Sequence, residues 1–276
     1  ISLSDIKKYK NKFFKNNKNT ASRNALIKND LNTVALNWEN YSKINHHFSN
    51  LIKKELPATD QKASGRCWGF AGLNLMRLKV VENLDLPNFE FSQNYFMFCD
   101  KLEKANYFLE NIIQTKDHAY DSRLIMHLVK APVQDGGQWD MFVNLINKYG
   151  AVPKDVMPET NHSSKSMSMN YILTHKLREF ASILRKKRLK NLSSLKKEMM
   201  EVIFNLLAMF LGQPPDVINW STRNKDNRYF VISDMTPKDF CKKYADINIK
   251  DKVCLIHAPM SNKKFNTVYT VEYLGN

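Results

Sequence analysis

The sequence is short of acidic side chains. It carries 27 Asp and Glu against 42 Lys and Arg, a formal net charge of +15 over 276 residues. Such an excess fits an anionic partner such as nucleic acid, or a chain whose acidic half lies elsewhere. No recognised nucleic-acid motif accompanies it, so weak, nonspecific nucleic-acid binding is the most that charge alone predicts. Cysteine is scarce as well. Cys67, Cys99, Cys241 and Cys254 have no regular spacing, which excludes a disulfide framework and points to a reducing compartment. Cys254 and His257 have a ligand-like gap, but structural zinc needs four ligands and no second pair is present. No metal and no cofactor are therefore expected. Long apolar runs are missing too. The best, Val202 to Leu211, is too short for a bilayer and contains Asn205, so no membrane span is expected. The first twenty residues are rich in Lys and Asn and lack the apolar stretch of a signal peptide, so the expected location is cytoplasmic. What remains is a globular composition, 43% hydrophobic and 11% aromatic, long enough for a sizeable core.

Chemistry concentrates in Gln61 to Ala71, which reads QKASGRCWGFA. Cys67 sits where a glycine-containing loop meets a run with Trp68, Phe70, Ala71, Leu73, Leu75, Met76 and Leu78. That run is apolar on nearly every face, so it predicts a buried helix. A thiol at such a helix start lies beside unpaired N–H groups and the positive end of the macrodipole, which favour the nucleophilic thiolate. Gln61, six residues upstream, can donate a side-chain N–H to an oxyanion forming beside the sulfur. The layout suits acyl transfer through a thioester. Cys67 alone could be an inert core cysteine, and Trp68 a packing residue. The spacing of Gln61, Gly65 and Trp68 around the thiol is what supports the functional reading.

A second stretch runs from Asp135 to Met141. Paired glycines, Gly136 and Gly137, leave a backbone that another chain can approach closely. They serve equally as a loop-to-helix junction with Asp135 as the cap. Hydrophobic periodicity predicts helices over Lys101–Gln114, Ser122–Lys130 with Asp121 as cap, and Gln138–Tyr149 closed by Gly150 in the left-handed region. Further helices are predicted over Met167–Lys190 and Leu195–Leu211, the second capped by Ser193 or Ser194. Thr236-Pro237 opens a short helix to Tyr244. Arg228–Ile232, Val253–His257 and Thr267–Tyr273 alternate like strands. The chain thus divides into an arm over 1–60, a segment over 61–160, a helical pair over 161–215, and a segment over 216–276 with strand character.

The stretch around Cys67 resembles the active-site motif of papain-type cysteine peptidases. Gln61, Cys67 and Trp68 match that motif's oxyanion glutamine, nucleophile and following tryptophan. Ser64 stands where secreted members carry a disulfide cysteine. With Arg66 in place of the usual small residue, the stretch is most similar to the bleomycin hydrolase, or aminopeptidase C, family. The resemblance implies an α+β papain-like cysteine peptidase fold: a helical half carrying the nucleophile, a helical insertion over 161–215, and the start of a β-rich half. It implies a thiol aminopeptidase acting on peptide substrates, with Cys67 and Gln61 catalytic. Gly136 and Gly137 would bind the substrate backbone like an added strand. It also implies a homo-oligomer, hexameric in the family, whose basic helix tip around Arg185 to Lys190 could line a channel. The arm, by its own scattered apolar residues such as Ile6, Phe13, Leu26 and Trp38, reads as short helices lying on the main body. The family's catalytic histidine and asparagine belong to the β-rich half. None of the seven histidines here sits in that context, so the chain reads as a fragment of the enzyme.

Overall fold

A computed structural model describes residues 1–52, 55–186, 191–245 and 260–267. The chain divides into two units, residues 1–53 and 54–276. The first holds four short helices: α1 (Leu3–Phe14), α2 (Asn17–Leu26), α3 (Leu31–Ala35) and α4 (Trp38–Tyr41). None contains a buried residue. Their ends are set locally instead. Ser2 and Asp5 form a reciprocal capping box, and Asn16, Asp30 and Asn37 each accept a backbone N–H at the other three starts.

The second unit runs α5 (Cys67–Asn83), α6 (Gln93–Gln114), α7 (Arg123–Lys130), α8 (Trp139–Tyr149), α9 (Asn161–Ser164), α10 (Met167–Leu184) and α11 (Leu192–Leu211). A hairpin of β1 (Ile218–Arg223) and β2 (Tyr229–Met235) follows, then α12 (Pro237–Tyr244). Among the described residues the unit is mostly helical with one small antiparallel sheet, as expected of the helical half of a papain-like fold.

The axis is α6, which packs against α5, α7, α8, α10 and α11. Every residue from Gln93 to Lys101 is buried. This explains a misplaced start. The periodicity placed the helix at Lys101, yet it begins eight residues earlier, because an enclosed segment has no polar face to produce a 3.6-residue period. Its true start is chemical. Ser92 accepts the Tyr95 N–H at 2.9 Å and donates to the Met157 carbonyl. Ser92 N also donates to the Val152 carbonyl at 2.8 Å, so the chain leaving α8 pairs with the chain entering α6. The helices α10 and α11 belong to the same core, with Leu173, Leu177, Met199, Ile203, Leu207 and Leu211 in one apolar cluster with Phe98 and Phe108.

In the hairpin, Trp220 pairs with Ile232 and Thr222 with Phe230, with an irregularity between Ile218 and Trp220. Part of β2 was legible in the sequence; β1 was not, because its inward residues Ile218 and Trp220 alternate with polar Asn219 and Ser221 over too short a run. The helix from Thr236 lies where expected, with Thr236 Oγ1 accepting the Asp239 N–H at 3.2 Å. Several caps differ. Ser122, not Asp121, caps α7. Asn191, at φ 61°, caps α11 by accepting the Ser194 N–H, so neither Ser193 nor Ser194 is the cap. Helix α10 ends at Leu184 rather than running on toward Lys190. Gly150 closes α8 at φ 73°, ψ −157°, a positive-φ conformation outside the left-handed helical region. A Cβ there would lie 2.4 Å from the Pro237 carbonyl carbon, so glycine also lets α12 approach. The expected strand 253–257 lies outside the described residues, and of 267–273 only Thr267 is described. Among the described residues no helix is long and apolar enough to cross a membrane.

Candidate active site

Cys67 is the first residue of α5 and is exposed, while Phe70, Leu73, Met76, Val80 and Val81 bury the helix behind it. The residue before it, Arg66, offers no side-chain cap, so the N–H groups at the helix start are not taken up by a capping side chain. Cys99 and Cys241 are also free thiols but buried. Burial pushes the Cys99 thiol well above its ordinary value and the Cys241 thiol up to about 12, so both stay protonated. Cys254 and His257 lie outside the described residues.

The loop leading to Cys67 is held from two sides. Ser64 Oγ donates to the Gln61 carbonyl at 2.7 Å and accepts from Arg66 Nε at 2.8 Å. The Arg66 guanidinium, 3% exposed, makes a two-pronged pair with Glu159 at 2.9 and 2.8 Å. Ala63 N donates to the Ser164 carbonyl at 2.9 Å. Where secreted papain-type enzymes carry a disulfide cysteine, this chain therefore ties the loop to 159–164 by hydrogen bonds and an ion pair. Gln61 is partly buried, and its Oε1 is buried without a partner.

The loop bearing Gly136 and Gly137 lies against Trp68, the residue after Cys67. Trp68 Nε1 donates to the Asp135 carbonyl at 2.8 Å. A Cβ on Gly137 would fall 2.4 Å from Trp68 Cε2, whereas one on Gly136 would meet nothing within 4 Å. The two glycines thus differ: Gly137 is required by close packing, and Gly136 faces open space.

Sequence reading missed what holds that loop. Two buried lysines one helical turn apart on α6 reach under it. Lys101 Nζ donates to the Val133 carbonyl and to Asp135 Oδ1 at 2.6 Å. Lys104 Nζ donates to the Gln134 and Gly136 carbonyls at 2.8 and 2.7 Å and to Asp100 Oδ2 at 2.7 Å. It also lies 5.2 Å from the Trp68 ring centre. Asp135 was expected to cap α8, but Gln138 occupies that position without a side-chain cap. Asp135 turns instead toward Gly65, Lys101, Ser166 and Asn170. Burial pushes its carboxyl up, but the Lys101 ammonium and the converging donors outweigh that and hold it well below the usual carboxylate range. Burial drives Lys101 down and Asp100 up from their ordinary values. The available signal was the charged stretch Asp100–Lys104 directly after the apolar run Tyr95–Cys99 and ahead of Ala105, because charges that close to a core are found paired.

Two of the described histidines pack on aromatic rings. His162 packs on Phe210 at 4.7 Å with its Nδ1 buried and unpartnered, and His175 packs on Tyr171 at 4.3 Å. Among the described residues no cluster of three or more His, Cys, Asp or Glu could hold a metal ion.

Comparison with known proteins identifies relatives of the whole chain. The profile of the Peptidase C1-like family matches residues 1–276. Aminopeptidase C of Listeria innocua serovar 6a is 44% identical over all of this chain and 63% of its own length. The bleomycin hydrolase of Homo sapiens is 38% identical over 92% of this chain and 58% of its own length. The crystal structure of pepw from Lactobacillus rhamnosis superposes with a TM-score of 0.90 at 40% identity, covering 100% of this chain and 63% of that one. The chain thus spans about three fifths of the length of these relatives. An exposed cysteine opening a buried helix and a glycine loop locked to the adjacent tryptophan stand in a chain matched along its whole length, and the chain belongs to the Peptidase C1-like family, with the bleomycin hydrolases and aminopeptidases C of the papain-like superfamily.

Proposed function

We propose that this chain is the nucleophile-bearing part of a cysteine-type aminopeptidase that removes N-terminal residues from peptides. The observation that carries the reading is the position of Cys67: exposed, first in α5, beside Trp68 and the glycine loop. The Cys67 thiolate attacks the scissile carbonyl carbon, and the carbonyl electron pair moves to oxygen. The Cys67 N–H and the Gln61 side-chain amide stabilise that oxyanion. Its collapse breaks the C–N bond, the departing amine takes a proton from an imidazolium, and water then hydrolyses the thioester. The backbone at Gly136 and Gly137 binds the substrate chain in an extended form.

The histidine that acts as base and acid, and the asparagine that orients it, are to be sought in the part of the family's length that this chain does not span. Exopeptidase action rests on the names of the relatives, aminopeptidase C and bleomycin hydrolase. By the same resemblance the enzyme is a cytoplasmic homo-oligomer, a hexamer.

The test is an aminoacyl fluorogenic amide, assayed with residues 1–276 and with the full-length polypeptide. Full-length protein should turn it over, Cys67→Ser should abolish turnover, and an N-acetylated substrate should resist. Residues 1–276 alone should be inactive, because general acid–base catalysis of this kind contributes about 10²–10⁴ in rate. Turnover that survives Cys67→Ser would overturn the reading.

A further inference from the structure

One carboxylate joins the two loops of the site. Asp135 Oδ2 accepts the Gly65 N–H at 2.9 Å and the Ser166 hydroxyl at 2.5 Å. Its Oδ1 accepts from Lys101 Nζ at 2.6 Å and Asn170 Nδ2 at 2.7 Å. Its own carbonyl accepts Trp68 Nε1 at 2.8 Å. The donors come from the loop before the nucleophile, from α5, from α6 and from the start of α10. Gly65 is two residues before Cys67, Trp68 is the next residue after it, and Gly136 follows Asp135 directly.

Stability alone is a poor reason to bury such a pair. An Asp–Lys bridge with Lys101 1% exposed is costly to desolvate, and apolar residues of like volume often replace such pairs without loss. What an apolar residue could not do is accept from Gly65 and Lys101 at once and so fix one loop against the other. Building on the peptidase reading above, we propose that Asp135 is a positioning residue: it sets the substrate-binding glycine loop in register with Cys67 and the oxyanion donors. Lys101, Ser166 and Asn170 in turn hold its carboxylate in place, which gives α10 a part in the site.

The experiment uses the full-length protein and two reagents aimed at Cys67. Iodoacetamide needs only an accessible thiol. A peptidyl fluoromethyl ketone also needs the glycine loop and the oxyanion donors. Mass spectrometry assigns the modified cysteine. In Asp135→Asn the iodoacetamide rate at Cys67 should stay within about twofold of wild type, while the peptidyl reagent should slow by at least about tenfold, since misplacement by about 1 Å can cost on the order of 100-fold. A merely structural role would move both rates together or neither, and an unchanged ratio would overturn the proposal. If wild-type Cys67 itself shows no preference for the peptidyl reagent, the peptidase reading fails. If wild type shows the preference and the variant keeps it, the positioning proposal fails alone. Should Asp135→Asn not fold, the double variant Lys101→Met/Asp135→Asn, which leaves no unpaired ion, is judged by the same ratio. Failure of both to fold would count against the proposal, because the carboxylate would then be structural.

Discussion

Two adjacent glycines in this site have opposite tolerances. Gly137→Ala would press a methyl group into the Trp68 indole, 2.4 Å away, and force apart the Trp68–Asp135 hydrogen bond. Overpacking of that kind costs about 1–3 kcal/mol, so the urea midpoint should fall and full-length activity with it. Gly136→Ala meets no atom within 4 Å and should leave the midpoint nearly unchanged, so equal losses in the two variants would contradict the geometry. Asp135 makes a different prediction. Its carboxyl ionises well below its ordinary 3.8 in the folded chain, so its stabilisation is complete above that value and is lost as pH falls toward the depressed one. Asp100 acts in the opposite sense, because burial raises its folded value and its ionisation above 3.8 costs stability. Comparing wild type with Asp135→Asn separates the two. The gap between their urea midpoints should be widest near neutral pH and should narrow below about pH 4, and a gap independent of pH would refute the assignment. At this scale the place of Cys67 at a helix start and the close approach at Gly137 were legible, since both follow from residue type and spacing. The role of Asp135 was not, because a carboxylate before a helix reads first as a cap and its real partners lie about 30 to 70 residues away.

Among elements, the start of α6 is the most consequential joint. Ser92→Ala removes the acceptor for Tyr95 N–H and leaves the buried Met157 carbonyl without its donor. The cap is worth about 1 kcal/mol and an orphaned buried acceptor about 1–3 kcal/mol. Ser122→Ala, where the cap bond of α7 is 3.4 Å long, should cost less than about 1 kcal/mol. Chemical denaturation of both variants checks the order, and a larger loss at Ser122 would show that α6 is not the joint described. The same contrast explains which elements could be read in advance. Helices α7, α8 and α12 have one wet face and a clear period, so their positions were legible to within a residue or two. The first turns of α6 are enclosed and β1 is short, so neither carried a pattern.

For the molecule as a whole, charge remains to be placed. Lys101 and Lys104 are buried against Asp135 and Asp100, whereas Lys7, Lys8, Lys10, Lys12, Lys15 and Lys18 are all exposed. An exposed basic surface without base-reading groups contacts phosphates alone. Affinity for single-stranded DNA should therefore fall at least about tenfold between about 50 and 200 mM salt, as counterion release requires. Binding that survives the salt series would reveal a dedicated nucleic-acid site. The papain-like helical half was legible as a whole from one motif, while the sharing of a single core by α6, α10 and α11 was not, because a core is a property of contacts rather than of runs. The span of the Asp135 network has a temporal meaning. Cys67 leaves the ribosome roughly a hundred residues before Ser166 and Asn170, and domains condense only once their distant contacts have been made. Cys67 is thus synthesised early and framed late: a nascent chain lacks two of the four donors to the Asp135 carboxylate until the start of α10 has emerged.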